Sequence, residues 1–316
     1  MRATTLLSRH ALLLASGLLL SCQLLAAEAG WRQLRIPGAT PDAAPTVVAL
    51  YYPTQAAPRT TAMGPFTVRA AIQAPPDEKF KGLILLSHGL AGTELGHNSL
   101  AEALARAGYL VAALRHPGDN WQDGSLLKQG GAAYFGERPR QASRVIDALL
   151  QDPQWKDRIA RDDQGPRIGA VGHSAGGYTV LALAGAQADL SRIATHCASE
   201  RAADPVFCGV GRDGGTAASL AQVRVPTRIY EAEQDRFLVP RFHAEWIARN
   251  MPAAELRRIP NAWHFAFMDT PSMPIQTPDG DIAADPPGFD RQALLARLGR
   301  EVPAFFDEAL PKSPAP

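Results

Sequence analysis

The sequence predicts an α/β fold, in which strands alternate with helices and build a mostly parallel central sheet covered on both faces. Three observations carry that expectation. Gly82-Leu-Ile-Leu-Leu-Ser87 is a continuous apolar run, as required of a strand buried on both sides. Arg138 to Leu150 places Ala142, Val145, Ile146, Leu149 and Leu150 on one helical face. The alternation then continues downstream, as it does in a sheet wound by right-handed crossovers.

The chain begins with Arg2 and Arg9 around the short apolar run Ala11–Leu20, followed by small residues at Ala26, Ala27 and Ala29. A positive end, an apolar core too short to span a bilayer and an Ala-x-Ala-like exit describe a secretory signal over residues 1–27, with cleavage after Ala27, or else after Ala29. Leu19-Leu-Ser-Cys22 also has the outline of a lipoprotein box, although Leu20 stands where a small residue is usual; lipid attachment at Cys22 is the weaker alternative. Removing residues 1–27 takes away Arg2 and Arg9 and leaves 30 basic against 31 acidic residues. That balance speaks against a nucleic-acid partner or an anionic membrane surface. Residues 28–316 contain no linker, repeat or low-complexity block, and are expected to form a single domain.

Thr46–Tyr52 and Phe66–Ile72 read as the first strands, separated by Pro-rich turns. Gly82–Ser87 opens onto the loop His88-Gly-Leu-Ala-Gly92, and a helix follows from about Asn98 with Leu100, Ala103, Leu104 and Ala107 at helical spacing. Tyr109–Leu114 is the next strand and runs into a loop at Arg115–Trp121. After the helix over 138–150 comes Arg167–Tyr178, then a strand over Val225–Tyr230, a helix near 241–250 opened by Pro240, a strand over Ala254–Ile259 and a helix over about 290–308. Between the helix after Ser174 and Val225 another strand is expected, yet Ala188–Ala221 contains no convincing one and no helical stripe.

Gly172-His-Ser-Ala-Gly176 is the centre of the chain. An apolar run enters it and a helical pattern leaves it, which is the strand, sharp turn and helix of a nucleophile elbow with Ser174 at its tip. Gly172 and Gly176 are the small residues that let strand and helix pass closely. A serine hydroxyl needs a base, and the base needs a group that fixes its tautomer. Asp235 and His264 each follow a predicted strand in the chain order Ser, acid, His, at the strand ends where open α/β sheets hold ligands. Glu231 and Glu233 are alternative acids beside Asp235. The amides of Ala175 and Leu90 are the expected oxyanion donors.

These pieces, Leu86–Gly92, Gly172–Gly177, Asp235 before Val239-Pro240, and His264-Phe-Ala-Phe267, resemble the α/β-hydrolase superfamily. More narrowly, they are similar to bacterial proteins labelled predicted dienelactone hydrolases, with features of platelet-activating-factor acetylhydrolases and cutinase-like polyester hydrolases. The resemblance covers nearly all of residues 45–308 and implies an α/β-hydrolase fold and a Ser-His-Asp acyl-enzyme mechanism. True dienelactone hydrolases carry Cys where this chain has Ser174.

The function expected is therefore a periplasmic or secreted serine esterase acting on a small ester of short to medium acyl chain. A lactonase, polyester hydrolase or peptidase of the same fold, or a silent binding protein, are the alternatives. No metal or organic cofactor is expected, because no His/Cys/carboxylate cluster has ligand spacing. Cys197 and Cys208 are an even pair outside the signal and are expected to form a disulfide. Trp121, Tyr134 and Phe135, in a loop over 121–135, and Trp263 beside His264, are the expected pocket lining.

Overall fold

The computed structural model describes residues 27–210, 217–277 and 280–310; the predicted signal segment and Cys22 lie outside the described residues. In chain order the strands are β1 (Glu28–Ile36), β2 (Thr46–Thr54), β3 (Arg59–Met63), β4 (Phe66–Ile72), β5 (Leu83–Ser87), β6 (Leu110–Arg115), the short pair β7 (Arg161–Asp162) and β8 (Gly165–Pro166), β9 (Ile168–Gly172), β10 (Thr227–Ala232), β11 (Ala254–Ile259), and the short pair β12 (Gln276–Thr277) and β13 (Gly280–Asp281). The helices are α1 (Asn98–Arg106), α2 (Gly131–Gln151), α3 (Ala175–Leu183), α4 (Leu190–Glu200), α5 (Pro205–Val210), α6 (Ala217–Leu220), α7 (Ala244–Asn250) and α8 (Arg291–Ala309).

The central sheet has seven strands in the order β3-β4-β1-β2-β6-β5-β9. Its outer half is largely antiparallel, while β6, β5 and β9 run parallel, as do β10 and β11. Period-two alternation splits the buried side chains of one strand between two cores. On one face Tyr51, Ile84, Leu86 and Val111 meet α1 and α8; on the other Leu50, Leu83, Leu85 and Leu114 meet α2 and Trp155. This explains why β2 and β5 read as unbroken apolar runs: every residue of both is buried.

Hydrogen bonding stops at β9. Among the described residues its one strand partner is β5, and β10 and β11 form a separate parallel pair. The segment between α3 and β10 contains no strand among the described residues, in line with its sequence, but the expectation that it lacks helical pattern is corrected by α4, α5 and α6. Asp189 caps α4 by accepting from Ser191 N at 3.2 Å. The stripe on α4 was hard to read because small residues, Ala194 and Cys197, stand beside Ile193. Cys197 and Cys208 form the expected disulfide, tying α4 to α5. Asp204, fully buried, accepts from His196 Nε2 and His243 Nε2 at 2.9 Å each and fastens this segment to the start of α7.

Three further expectations change. β1 and β3 were not anticipated, because Glu28–Ile36 alternates weakly and β3 is mostly exposed. Residues 131–135 belong to α2 and not to a loop, so Tyr134 and Phe135 are helical. Pro240 does not open the helix: Phe242 N and His243 N both bond Val239 O in a turn, and α7 starts at Ala244.

The disulfide closes a loop with a sequence separation of 11, a restraint worth about 3 kcal/mol in the chain-entropy account. Unfolded, unreduced protein without residues 1–27, and so without Cys22, should show no titratable thiol, and Cys197→Ser with Cys208→Ser should lower the unfolding free energy by about that amount. Two free thiols in the unreduced protein would refute the bond.

Candidate active site

Strand β9 gives way to α3 across His173 and Ser174, and the turn is sharp enough to hold Ser174 at φ 53°. A non-glycine residue in this region costs on the order of 1–3 kcal/mol, so its surroundings must impose it. They do so through close backbone contact. A Cβ at Gly172 would stand 2.1 Å from Gly176 O, and one at Gly176 would stand 1.9 Å from Ser87 O. Both glycines of the motif are therefore required by space.

Asp235 lies just after β10, and its Oδ1 accepts from Phe237 N and Leu238 N at 2.8 Å each. Its Oδ2 is 2.7 Å from His264 Nδ1. The neighbouring carboxylates are engaged elsewhere: Glu231 accepts from Arg258 Nε at 2.6 Å and Glu233 from Asn261 N at 2.9 Å. His264 opens the 3₁₀ turn His264–Phe267, is buried, and stacks on Phe237 with ring centroids 4.9 Å apart. Ser174, Asp235 and His264 line one cavity of about 300 Å³. No hydrogen bond among the described residues joins Ser174 Oγ to His264; such contacts are commonly long before substrate arrives.

The loop after β5 lies against this turn, since a Cβ at Gly89 would be 3.2 Å from Ser174 Cβ. Asp119 Oδ1 takes the amide of Ala91 at 2.9 Å, whereas the amides of Leu90 and Ala175 meet no acceptor among the described hydrogen bonds. Behind the loop is an ion pair that the sequence reading missed. Arg138, fully buried, pairs with Asp119, also fully buried, and donates to His88 O, to Ser87 Oγ at 3.1 Å and to Thr179 Oγ1 at 3.0 Å. Tyr134 Oη adds a 2.7 Å bond to Asp119. The signal was in the helix pattern: Arg138 shares its face with Tyr134, Ala142, Val145 and Leu149, all buried.

Of the expected lining residues, none borders the cavity. Trp121 is 64% exposed. Tyr134 and Phe135 are buried in α2 and pack towards Tyr178, and Trp263 sits under the Arg236 guanidinium, 5.1 Å from its ring centroid. The walls are made instead by Leu181, Ile229, Ile247, Phe267, Val302 and Phe305.

Four further histidines, His88, His97, His116 and His173, surround the site, and His97 and His173 line its cavity. Burial pushes His88 and His97 down to about 4, and holds His116 and His173 well below the usual value, helped by Arg138 for His88 and His116 and by His264 for His173. These rings are neutral at neutral pH. His173 Nε2 is 3.0 Å from His264 O, which fixes the backbone of the loop that carries His264.

The arrangement can be set beside known proteins. A cutinase, Est1 of Thermobifida alba, is 28% identical over 198 residues, covering 62% of this chain and 57% of its own length. The chain thus spans little more than half of that relative. A ferulic acid esterase from Streptomyces cinnamoneus superposes with a TM-score of 0.59 at 19% identity, covering 93% of both chains. A dienelactone hydrolase from Anabaena variabilis gives a TM-score of 0.52 at 15% identity, covering 90% of this chain and 100% of its own. This chain has the α/β-hydrolase fold. No family model matches it.

A pH dependence follows for this α/β-hydrolase fold. An unfolded histidine takes up its proton near pH 6.5. Between pH 6.5 and about 4 the unfolded state therefore binds more protons than the fold at His88, His97, His116 and His173, and stability falls as pH falls. Glu102, raised to about 7, and Asp269, raised to about 6, both by burial, act in the opposite sense and offset part of it. The urea midpoint should drop steadily from pH 6.5 to pH 4.5. A midpoint that stays level or rises over that window would overturn the neutral assignment.

Proposed function

We propose that the protein is a serine carboxylic-ester hydrolase, with Ser174 as nucleophile, His264 as base and Asp235 as the acid that orients it, acting on esters of short to medium acyl chains. The 2.7 Å contact between His264 Nδ1 and Asp235 Oδ2, in the cavity that Ser174 also lines, carries this reading. Asp235 is itself held by two amides, so it fixes the imidazole tautomer with Nδ1 protonated and Nε2 as the proton acceptor.

In the first half-reaction Ser174 Oγ passes its proton to His264 Nε2 and bonds to the carbonyl carbon. The carbon–alkoxy bond then breaks, and His264 returns the proton to the departing alcohol. Water repeats the sequence on the acyl-enzyme and frees the acid. The amides of Leu90 and Ala175 would hold the oxyanion, a contribution of roughly 3 kcal/mol per donor in comparable sites. The similarity to a cutinase and a ferulic acid esterase supports ester substrates, and the cutinase likeness makes polymeric esters the second reading.

We further place the enzyme in the periplasm or outside the cell. The disulfide suits an oxidising compartment. Cleavage after Ala27 leaves β1 whole, whereas cleavage after Ala29 would remove Glu28 and Ala29, which pair with Thr54 and Pro53.

A fluorophosphonate should label the wild type and not Ser174→Ala, and that variant should lose several orders of magnitude of p-nitrophenyl butyrate turnover. Retention of more than about a tenth of the rate would move the reaction elsewhere. Asp235→Asn should cost far more activity than Glu233→Gln or Glu231→Gln, through the histidine tautomer; equal losses would reassign the acid. The butyrate ester should be cleaved much faster than the palmitate, without a jump as substrate becomes micellar. Clear interfacial activation would point to a lipase.

A further inference from the structure

The turn that supplies the acid also supplies a ring to the base. Asp235 Oδ1 accepts from Phe237 N and Leu238 N at 2.8 Å each, so the Asp235 side chain closes its own turn and fixes the backbone from which Phe237 projects. From there the Phe237 ring lies over the His264 imidazole, with centroids 4.9 Å apart and planes inclined by 23°. Phe265 meets both rings edge-on, 5.0 Å from Phe237 and 5.1 Å from His264, and wedges the stack. A further ring neighbour of His264 is His173, at 4.9 Å and 45°, and burial keeps that ring neutral.

His264 must carry a full positive charge while the serine proton is on Nε2, and the residue is 5% exposed, so water does little to offset that charge. Asp235 offsets it through Nδ1 at 2.7 Å, but two amides already share that carboxylate. The face of Phe237 is the other negative partner in reach. An aromatic ring is electron-rich on its face, and a cation within about 6 Å of its centroid is attracted to it, most strongly out of water. A neutral imidazole gains far less. The stack is therefore stronger in the transition state than in the resting site, which is the condition for raising kcat.

We propose that Phe237 is a positioning residue of the reaction, whose ring face holds the plane of the His264 imidazole and stabilises the imidazolium that forms while Ser174 attacks. This rests on the esterase reading above. The competing role is plain space-filling, since aromatic residues near a strand end commonly serve as core. The two roles differ in one property. Packing depends on the shape of the side chain at position 237, whereas the attraction depends on the charge at the face of its ring. Phe237 is only half-buried and lies nearly flat on the one ring that changes charge, which favours the second.

The test varies that charge at nearly constant shape. Phenylalanines bearing one, three and five fluorine atoms, installed at position 237 of the full chain, withdraw electron density from the ring face step by step. For p-nitrophenyl butyrate kcat should fall at each step, by about tenfold across the series, with KM within about twofold of the wild-type value. Phe237→Leu, which keeps an apolar cover without a ring, should lose as much, and Phe237→Tyr should keep most of the rate. A level kcat across the series, in protein with the wild-type thermal midpoint, overturns the proposal even where the leucine variant is slow or fails to fold. A change confined to KM overturns it as well, because the ring would then be touching substrate. Fluorophosphonate labelling separates the two readings: labelled protein with a level series loses the role of Phe237 and keeps the esterase, whereas a wild type with neither labelling nor ester turnover sinks both.

Discussion

Gly176 lies so near the end of β5 that a methyl group there would stand 1.9 Å from Ser87 O. Everything about the site follows from that approach. It brings the first turn of α3 onto the strand end where the loop His88–Gly92 begins, so the turn carrying Ser174 and that loop are set by one contact between backbones. Ser87 is in turn held from behind, its hydroxyl 2.9 Å from His116 Nε2 and 3.1 Å from Arg138 Nη2. Arg138 and Asp119 then reach the loop itself, through His88 O and the amide of Ala91. A buried ion pair gives little net stability when its desolvation is counted, but breaking one half of it costs about 3–5 kcal/mol. Such a pair is well suited to holding a loop in one place.

This division explains what the sequence revealed. The elbow was legible because its requirements are local: a strand, two small residues and a helix within a dozen positions. Asp235 and His264 were legible because each follows a strand in a fixed chain order, although only the 2.7 Å contact separates Asp235 from Glu231 and Glu233. The lining was not legible. Trp121, Tyr134, Phe135 and Trp263 were chosen for size and nearness in sequence, yet the cavity is walled by Leu181, Ile247, Val302 and Phe305, which come from helices far apart in the chain. Nearness to the motif says little about which helix faces cover it. Arg138 was missed for the opposite reason: its charge hid the fact that it lies on the buried face of α2.

The histidines divide by environment. His88, His97, His116 and His173 are buried and kept neutral, whereas His264, through Nδ1 on Asp235, and His196 and His243, through Nε2 on Asp204, each meet a carboxylate. Only a ring with such a partner can accept a proton without leaving a charge uncompensated in the interior. The others can therefore serve as neutral hydrogen-bonding struts. His173 holds His264 O, and His116 sits between Ser87 and Gln141 at 2.9 and 2.7 Å.

The interruption after β9 gives this architecture its particular character. A strand with one neighbour has lost half of its ladder, and β9 is the strand that must hold Ser174 in a strained turn. What replaces the missing edge is packing across the sheet. A Cβ at Gly169 would stand 2.5 Å from Phe306 of α8, so that helix is seated directly on β9, and the same helix reaches β10 through Glu301 and the Tyr230 hydroxyl at 3.1 Å. α8 thus spans the break and fixes β9 relative to the β10–β11 pair, and with it Ser174 relative to Asp235 and His264. The residues of α8 that bridge the two halves, Val302 and Phe305 among them, also line the space between. The relative placement of Ser174, Asp235 and His264 and the shape of the cavity are consequently properties of one helix, which is why the sheet can stay open beside Ser174.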